Sequence, residues 1–329
     1  MKKQPRLSAI SACLLAASTF ASLVLAGAAP AQSFPSKPVR VIVPFPPGGA
    51  ADISSRVLAE HLGKSLGQSV IVENRPGAGA VIGYEFGARA PGDGHTITIV
   101  FPSFVINPSI RRVNYDPIKD FKAVAQATSL TMAFAVHPSL PAKSIGELIA
   151  LARARPGEIS YGTPGVGTIQ HVLGELFALT TKVKLTHVPY AGLAPANTAL
   201  AGGHISMVVT NLVEMTPFAT AGKVRPVVVT AAARADGFPG VPTLREAGYA
   251  GLEATNWAGF VAPAATPAAA IARLNSDIVR ALRTPDVQER FKAQGMSAAP
   301  STPEQFAALL QSETARYAKV VREAGIRAE

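Results

Sequence analysis

The chain has 329 residues, 48% of them hydrophobic and 16% charged, with a formal charge of +10 and a single cysteine. Such a length gives about two domains with enough apolar material for two cores. The lysines and arginines form no run interleaved with aromatics, which argues against nucleic acid as a partner. The lone Cys13 leaves no disulfide framework or cysteine metal site.

Lys2, Lys3 and Arg6 precede an Ala/Leu/Ser-rich stretch from Leu7 to Leu25, and Ala29-Pro30-Ala31 fits a small-residue cleavage pattern. Residues 1–31 are therefore predicted to be a signal peptide cleaved after about Ala31, which places the mature protein in the periplasm. A signal anchor is the alternative, disfavoured because the core is diluted by Ala and Ser. Ile10-Ser11-Ala12-Cys13 resembles a lipoprotein box, but the apolar core follows the cysteine where it should precede it. Removing Lys2, Lys3 and Arg6 with the leader lowers the charge from +10 to +7.

Strand-like and helix-like runs then alternate. Val39–Val43, Ser69–Glu73 and Thr96–Phe101 read as strands, and Ile53, Val57, Leu58, Leu62 and Leu66 make one helical stripe. A second set begins with a strand at Thr131–Val136 and a helix whose capping box is Ser144 to Glu147. It continues through strands at Ile159–Tyr161, Lys184–Val188, Ile205–Val209 and Val224–Thr230, with helices between them. Thr266-Pro267, Thr284-Pro285 and Thr302-Pro303 each place a capping threonine before a proline and predict three closing helices, able to pack on either unit or tie the two together. This βα order predicts parallel sheets covered by helices, with ligands at the carboxyl ends of the strands.

Three glycine-dense turns run from strand into helix: Pro44–Asp52, Glu73–Ala80 and Tyr161–Thr168. Glycine lets the backbone approach a ligand, and a helix start offers unpaired N–H groups and a positive dipole end, so a pair of such loops in two α/β units suggests an anion held from both sides of a cleft. The plain alternative is that tight turns need glycine. Gly77-x-Gly79-x-x-x-Gly83 only approximates a dinucleotide fingerprint, and no phosphate-loop, GxSxG or HExxH pattern occurs. His171 and Glu175 share a helical face but read as a surface or capping pair. Asp52 reads as a helix cap or loop support in preference to a catalytic base, and Trp257 as core or hinge packing.

Phe34–Arg40 leading into Pro44–Asp52, then Glu73–Gly79, Tyr161–Thr168, Val188–Gly192, Pro239–Gly248 and Trp257–Phe260, resemble the Bug family of TctC-like receptors across essentially the whole mature chain. The resemblance implies an α/β, periplasmic-binding-protein-like Venus flytrap, two α/β domains joined by two crossover strands. Residues 32–131 and 256–329 would form domain 1 and residues 132–255 domain 2. It implies a binding protein and not an enzyme, with no cofactor or metal, probed by its ligand from both sides. Phe45, Pro47, Gly48, Gly49, Ala50, Ala51, Ala78 and Ser103 would contribute from domain 1, and Thr163, Gly165, Val166, Gly167, Thr168, Tyr190, Thr210 and Asn211 from domain 2. Asp52 and Trp257 would support the site.

The implied ligand is a small carboxylate: a di- or tricarboxylate, an aromatic acid or an amino acid. The implied partners are the membrane components of a tripartite transporter or a sensor kinase, with the receptor itself a monomer. An exported hydrolase or isomerase and a sensory module are the alternatives. One departure stands out: family members often carry an acid just before the asparagine at the end of the strand from Ile205, and this chain has Thr210 there. The missing acid suggests a dicarboxylate or aromatic acid in preference to an amino acid.

Overall fold

A computed structural model describes residues 34–294 and 296–327, so the predicted signal peptide and Cys13 lie outside the described residues. From Lys37 onward the first half is built from β1 (Val39–Val43), α1 (Ala50–Leu66), β2 (Val70–Asn74), α2 (Val81–Ala88), β3 (Thr96–Val100) and α3 (Ser103–Ile110). A long strand, β4 (Phe121–Val136), leads into the second half. That half comprises α4 (Ile145–Ala154), β5 (Ser160–Thr163), α5 (Ile169–Thr181), β6 (Thr186–Pro189), α6 (Leu193–Ala201), β7 (Met207–Asn211), α7 (Leu212–Thr220) and β8 (Arg225–Val229). The chain returns through β9 (Thr255–Pro263) and ends with α8 (Ala268–Leu282), α9 (Pro285–Ala293), β10 (Ser297–Ala298) and α10 (Pro303–Ala324).

The strands are ordered β2-β1-β3-β9-β4-β7-β5-β6, with β8 and β10 also pairing with β4. β1 pairs in parallel with β2 and β3, and β5 in parallel with β6 and β7, as alternating βα order requires. β4 belongs to both sheets. Its stretch from Phe121 to Thr131 runs antiparallel to β9, and from Met132 to Val136 it lies between β7 and β8.

Only the second part of β4 is predicted from sequence. Register shifts between Ala123 and Ala125 and between Gln126 and Thr128 break the period of two along the first part, so no alternating pattern is left to read. Beyond the shifts the pleat is regular. Met132, Phe134 and Val136 enter a core shared with Tyr161, Val172 and Phe177, while Ala133 and Ala135 enter the opposite core with Ala196, Leu200 and Met215. Burial on both faces is what a helix-covered sheet demands.

Local signals set most helix starts. Ser144 Oγ accepts the Glu147 N–H, Thr284 Oγ1 that of Val287, and Thr302 forms a full capping box with Gln305. Thr266 departs from the prediction. α8 begins after Pro267 without a side-chain cap, because Thr266 is drawn into a turn in which its N–H donates to Pro263 O. α10 packs on β4, on α3 of the first half and on α5 of the second, so the last helix ties the halves together.

Candidate functional site

A cavity of about 720 Å³ opens between the two halves. Its first wall is the loop and first turn running from Phe45 through Ala51, backed by Phe101, Pro102 and Ser103 at the start of α3. Its second wall is formed by Thr168 to Gln170 at the start of α5, Gly192 to Pro195 at the start of α6, and Asn211, Val213 and Glu214 at the start of α7. Five helix N-termini therefore face one space. Four of them, those of α1, α3, α6 and α7, have no side chain capping their N–H groups. At α3 the Phe104 and Val105 N–H groups already donate to Phe101 O and Pro102 O, while unpaired N–H groups at the positive dipole ends of the other starts are ready donors for an anion.

The first wall is held in shape by Asp52, which is only 4% exposed. Its carboxylate accepts from the Gly48 N–H at 3.0 Å, from Asn74 Nδ2 at 3.0 Å and from Arg56 Nε at 3.0 Å. Asn74 Nδ2 also donates to Phe45 O, so one amide and one carboxylate fasten both ends of the loop. Burial opposes ionisation of Asp52, but the hydrogen bonds from Arg56, Gly48 and Asn74 outweigh it and hold the pKa below the ordinary carboxylate value. With both oxygens engaged, Asp52 has the geometry of a brace.

Polar side chains of the second wall come from five separate elements. Asn211 Oδ1 accepts from Gln170 Nε2 at 3.4 Å and from Asn256 Nδ2 at 3.0 Å, which turns the Asn211 amide nitrogen towards Glu214 Oε1 at 3.1 Å. Asn197, on α6, lines the cavity at 1% exposure, yet neither atom of its amide has a hydrogen-bond partner, and Asn256 Oδ1 is also unpaired. A buried amide without partners is costly, and at a cavity wall it marks a place where a solute or water completes the bonding. Among the described residues Glu214 is the only titratable side chain on the wall, and no lysine, arginine or histidine reaches it.

Of the residues expected at the site, the cavity brings together Phe45, Pro47, Gly48, Gly49, Ala50, Ala51, Ser103, Thr168 and Asn211. Ala78, Thr163, Gly165, Val166, Gly167, Tyr190 and Thr210 do not line it. Several of these form a seam between the halves instead. Arg111 Nη2 donates to Val166 O at 2.9 Å and Nη1 to Ala78 O at 3.3 Å, and an added Cβ at Gly79 would sit 2.7 Å from Val166 O. Thr163 Oγ1 lies 2.7 Å from His187 Nε2, and His187 stacks on His171 with ring centroids 4.1 Å apart. His171 does not pair with Glu175, whose carboxylate accepts a hydrogen bond from the Tyr161 hydroxyl. Trp257 is buried against Phe306, with Nε1 donating to Glu313 Oε2 at 3.3 Å.

The acid missing at position 210 is supplied differently. Glu214, one turn into α7, places a carboxyl beside Asn211, so the pocket has an acidic acceptor after all. Gln170, Asn197, Glu214 and Asn256 are among the polar wall residues that sequence reasoning passes over. Asn197 leaves one trace, a polar residue on the stripe Leu193, Ala196 and Leu200 that α6 buries.

Comparison with known proteins fits this arrangement. Residues 54–326 match the family described as tripartite tricarboxylate transporter family receptor, TctC. The protein BugT of Bordetella pertussis is 36% identical over 298 residues, spanning 90% of this chain and 91% of its own. The solved periplasmic binding protein BugD superposes with a TM-score of 0.82 at 31% identity, covering 90% of this chain and 100% of its own. Rpa4515 of R. palustris, solved with adipate, superposes at 0.83 with 33% identity over 89% and 99% of the two chains. The chain thus has the two-domain Venus-flytrap fold of periplasmic binding proteins and belongs to the Bug/TctC family of tripartite tricarboxylate transporter receptors.

Proposed function

We propose that the protein captures a small carboxylate in the cleft between its halves and delivers it, in the periplasm, to the membrane components of a tripartite transporter. The observation that carries this reading is the convergence of five helix N-termini on one cavity whose wall, among the described residues, has no cationic side chain. A carboxylate there would be held by fixed backbone N–H groups and the Asn197 amide, with water completing the shell. The adipate held by the related Rpa4515 supports the ligand class.

Residues 32–131 and 256–329 would move against residues 132–255. The change of partner along β4, from β9 at Thr131 to β7 at Met132, supports a division there. Capture would then shift the population towards a conformation in which both walls touch the solute. The proposed contacts are the loop Phe45–Ala51 and Ser103 on one side, and Thr168, Asn197 and Asn211 on the other.

Thermal-shift and calorimetric titration of the purified protein with a panel of mono-, di- and tricarboxylates, including adipate, tests the capture step. At least one acid should raise the melting temperature and bind saturably. Asn197→Leu should weaken that acid about tenfold or more, the expected loss of one hydrogen bond to a charged group. Absence of binding across the panel, or full affinity in Asn197→Leu, would sink the assignment. Uptake of the bound acid by cells lacking the membrane components tests delivery.

A further inference from the structure

The cavity combines an anion cradle with an acid. Helix N-termini on both walls suit a carboxylate, yet Glu214 projects a half-buried carboxyl into the same space with one protein hydrogen bond, from Asn211, and no cation on the wall among the described residues. Placing a plain carboxylate beside an ionised Glu214 would gather two like charges in a cavity without a counter-ion. The second acceptor nearby is Asn256 Oδ1, 5% exposed and unpaired. Its orientation is fixed because Asn256 Nδ2 is spent on Asn211 Oδ1, the same amide whose nitrogen faces Glu214. Two acceptors thus flank Asn211, while donors crowd the helix starts.

We propose that Glu214 determines specificity by accepting hydrogen bonds from an ammonium group of the ligand, so that the solute is an amino-bearing carboxylic acid with its carboxylate on the helix N-termini and its nitrogen at Glu214 and Asn256. This rests on reading the cleft as a carboxylate site, and it reverses the ligand preference that Thr210 suggested. An ammonium offers three donors, which matches clustered acceptors better than a single hydroxyl does. Burial raises the pKa of Glu214, the Asn211 hydrogen bond acting the other way, and a ligand cation in contact would favour the charged form. A zwitterionic ligand leaves the cleft with each charge answered.

Matched pairs test this by calorimetry: L-aspartate with succinate, L-glutamate with glutarate, and L-phenylalanine with 3-phenylpropionate. In the best-binding pair the amino member should bind at least tenfold more tightly, and Glu214→Gln should reduce that ratio to about one while unliganded melting stays near wild type. The ratio is the decisive readout, since a merely structural role would weaken both members alike. A deaminated acid binding more tightly than its amino partner, with the preference kept in Glu214→Gln, overturns the inference and leaves the carboxylate reading standing; Glu214 would then act as a neutral donor. Binding by no member of any pair, nor by the wider acid panel, overturns both.

Discussion

The two glycine-dense turns at Pro44–Asp52 and Tyr161–Thr168 look alike in sequence, yet the structure uses them differently. The first lines the cavity from Phe45 to Ala51, whereas in the second only Pro164 and Thr168 reach it. Gly48 has a φ of +86° and open space where a Cβ would go, so its glycine permits a turn beside a cavity. Gly167 has a φ of +87°, but a Cβ there would meet Asn107 Oδ1 at 2.5 Å and Ile110 Cδ1 at 2.6 Å. Its glycine permits the halves themselves to approach. Glycine density therefore reports that something comes close to the backbone; whether that is a solute or the other half of the protein depends on the partner surface.

Substitution at the two glycines should separate these uses, and it gives the largest expected effect. Gly167→Val combines a left-handed backbone penalty of about 1–2 kcal/mol with overpacking of about 1–3 kcal/mol, so urea denaturation should show a loss of about 3 kcal/mol. Gly48→Ala carries the backbone penalty alone and should cost about 1 kcal/mol. Equal losses would mean that the seam yields as freely as the open loop, and the distinction between the two turns would fall.

The first loop was legible because its neighbours in sequence are its neighbours in space. Asp52 returns to Gly48 four residues earlier, a distance over which helix-start chemistry can be read from residue type. The second wall gathers Gln170, Asn197, Asn211, Glu214 and Asn256 from five segments, and only tertiary structure brings them together. Only Asn211 falls in a family pattern; the other four belong to no motif, and polar residues in helices and strands are ordinary. Fold shows the same contrast. Strand-turn-helix punctuation revealed β1, β3 and β5, while the bulged first part of β4 hid its alternation, so only the second part of the strand that links the halves was legible.

The second region also differs in how it responds to acid. Burial, then the neighbouring His187 and Arg111, push His171 down to about 3, and burial pushes His187 down to about 4. The Gly167 N–H donates to His171 Nδ1, so the neutral ring is the form the loop requires. Both rings have lower pKa values folded than the ordinary 6.5, so the unfolded chain binds more protons once pH drops below that value. Stability should be complete above about pH 6.5 and fall towards pH 4, by up to about 1.4 kcal/mol per histidine for each pH unit. Replacing His187 with Asn should flatten the pH dependence of the urea midpoint in this window. Asp52 adds nothing there, because its lowered pKa confines its own loss to pH below its ordinary value of 3.8. An unchanged slope in His187→Asn would remove the histidine stack as the acid-sensitive part of the second region.

Arg111 gives the smallest effect and joins the two themes. From the end of α3 it donates to Val166 O in the second loop and to Ala78 O in its own half. Burial lowers its pKa, so its desolvation offsets part of what those bonds contribute, and Arg111→Met should cost only about 1 kcal/mol. The same guanidinium is one of the charges that depress His171. Removing it should therefore move the His171 titration upwards, measured from ring proton shifts in NMR, while His187, depressed by burial alone, stays in place. Because His171 would then bind its proton at a pH nearer to that of the unfolded chain, the acid slope should shrink in Arg111→Met even as the seam weakens. A loss of stability with no movement of His171 would make Arg111 a mechanical tie and nothing more; movement of His171 couples the contact between the halves to the charge state of the loop beside it.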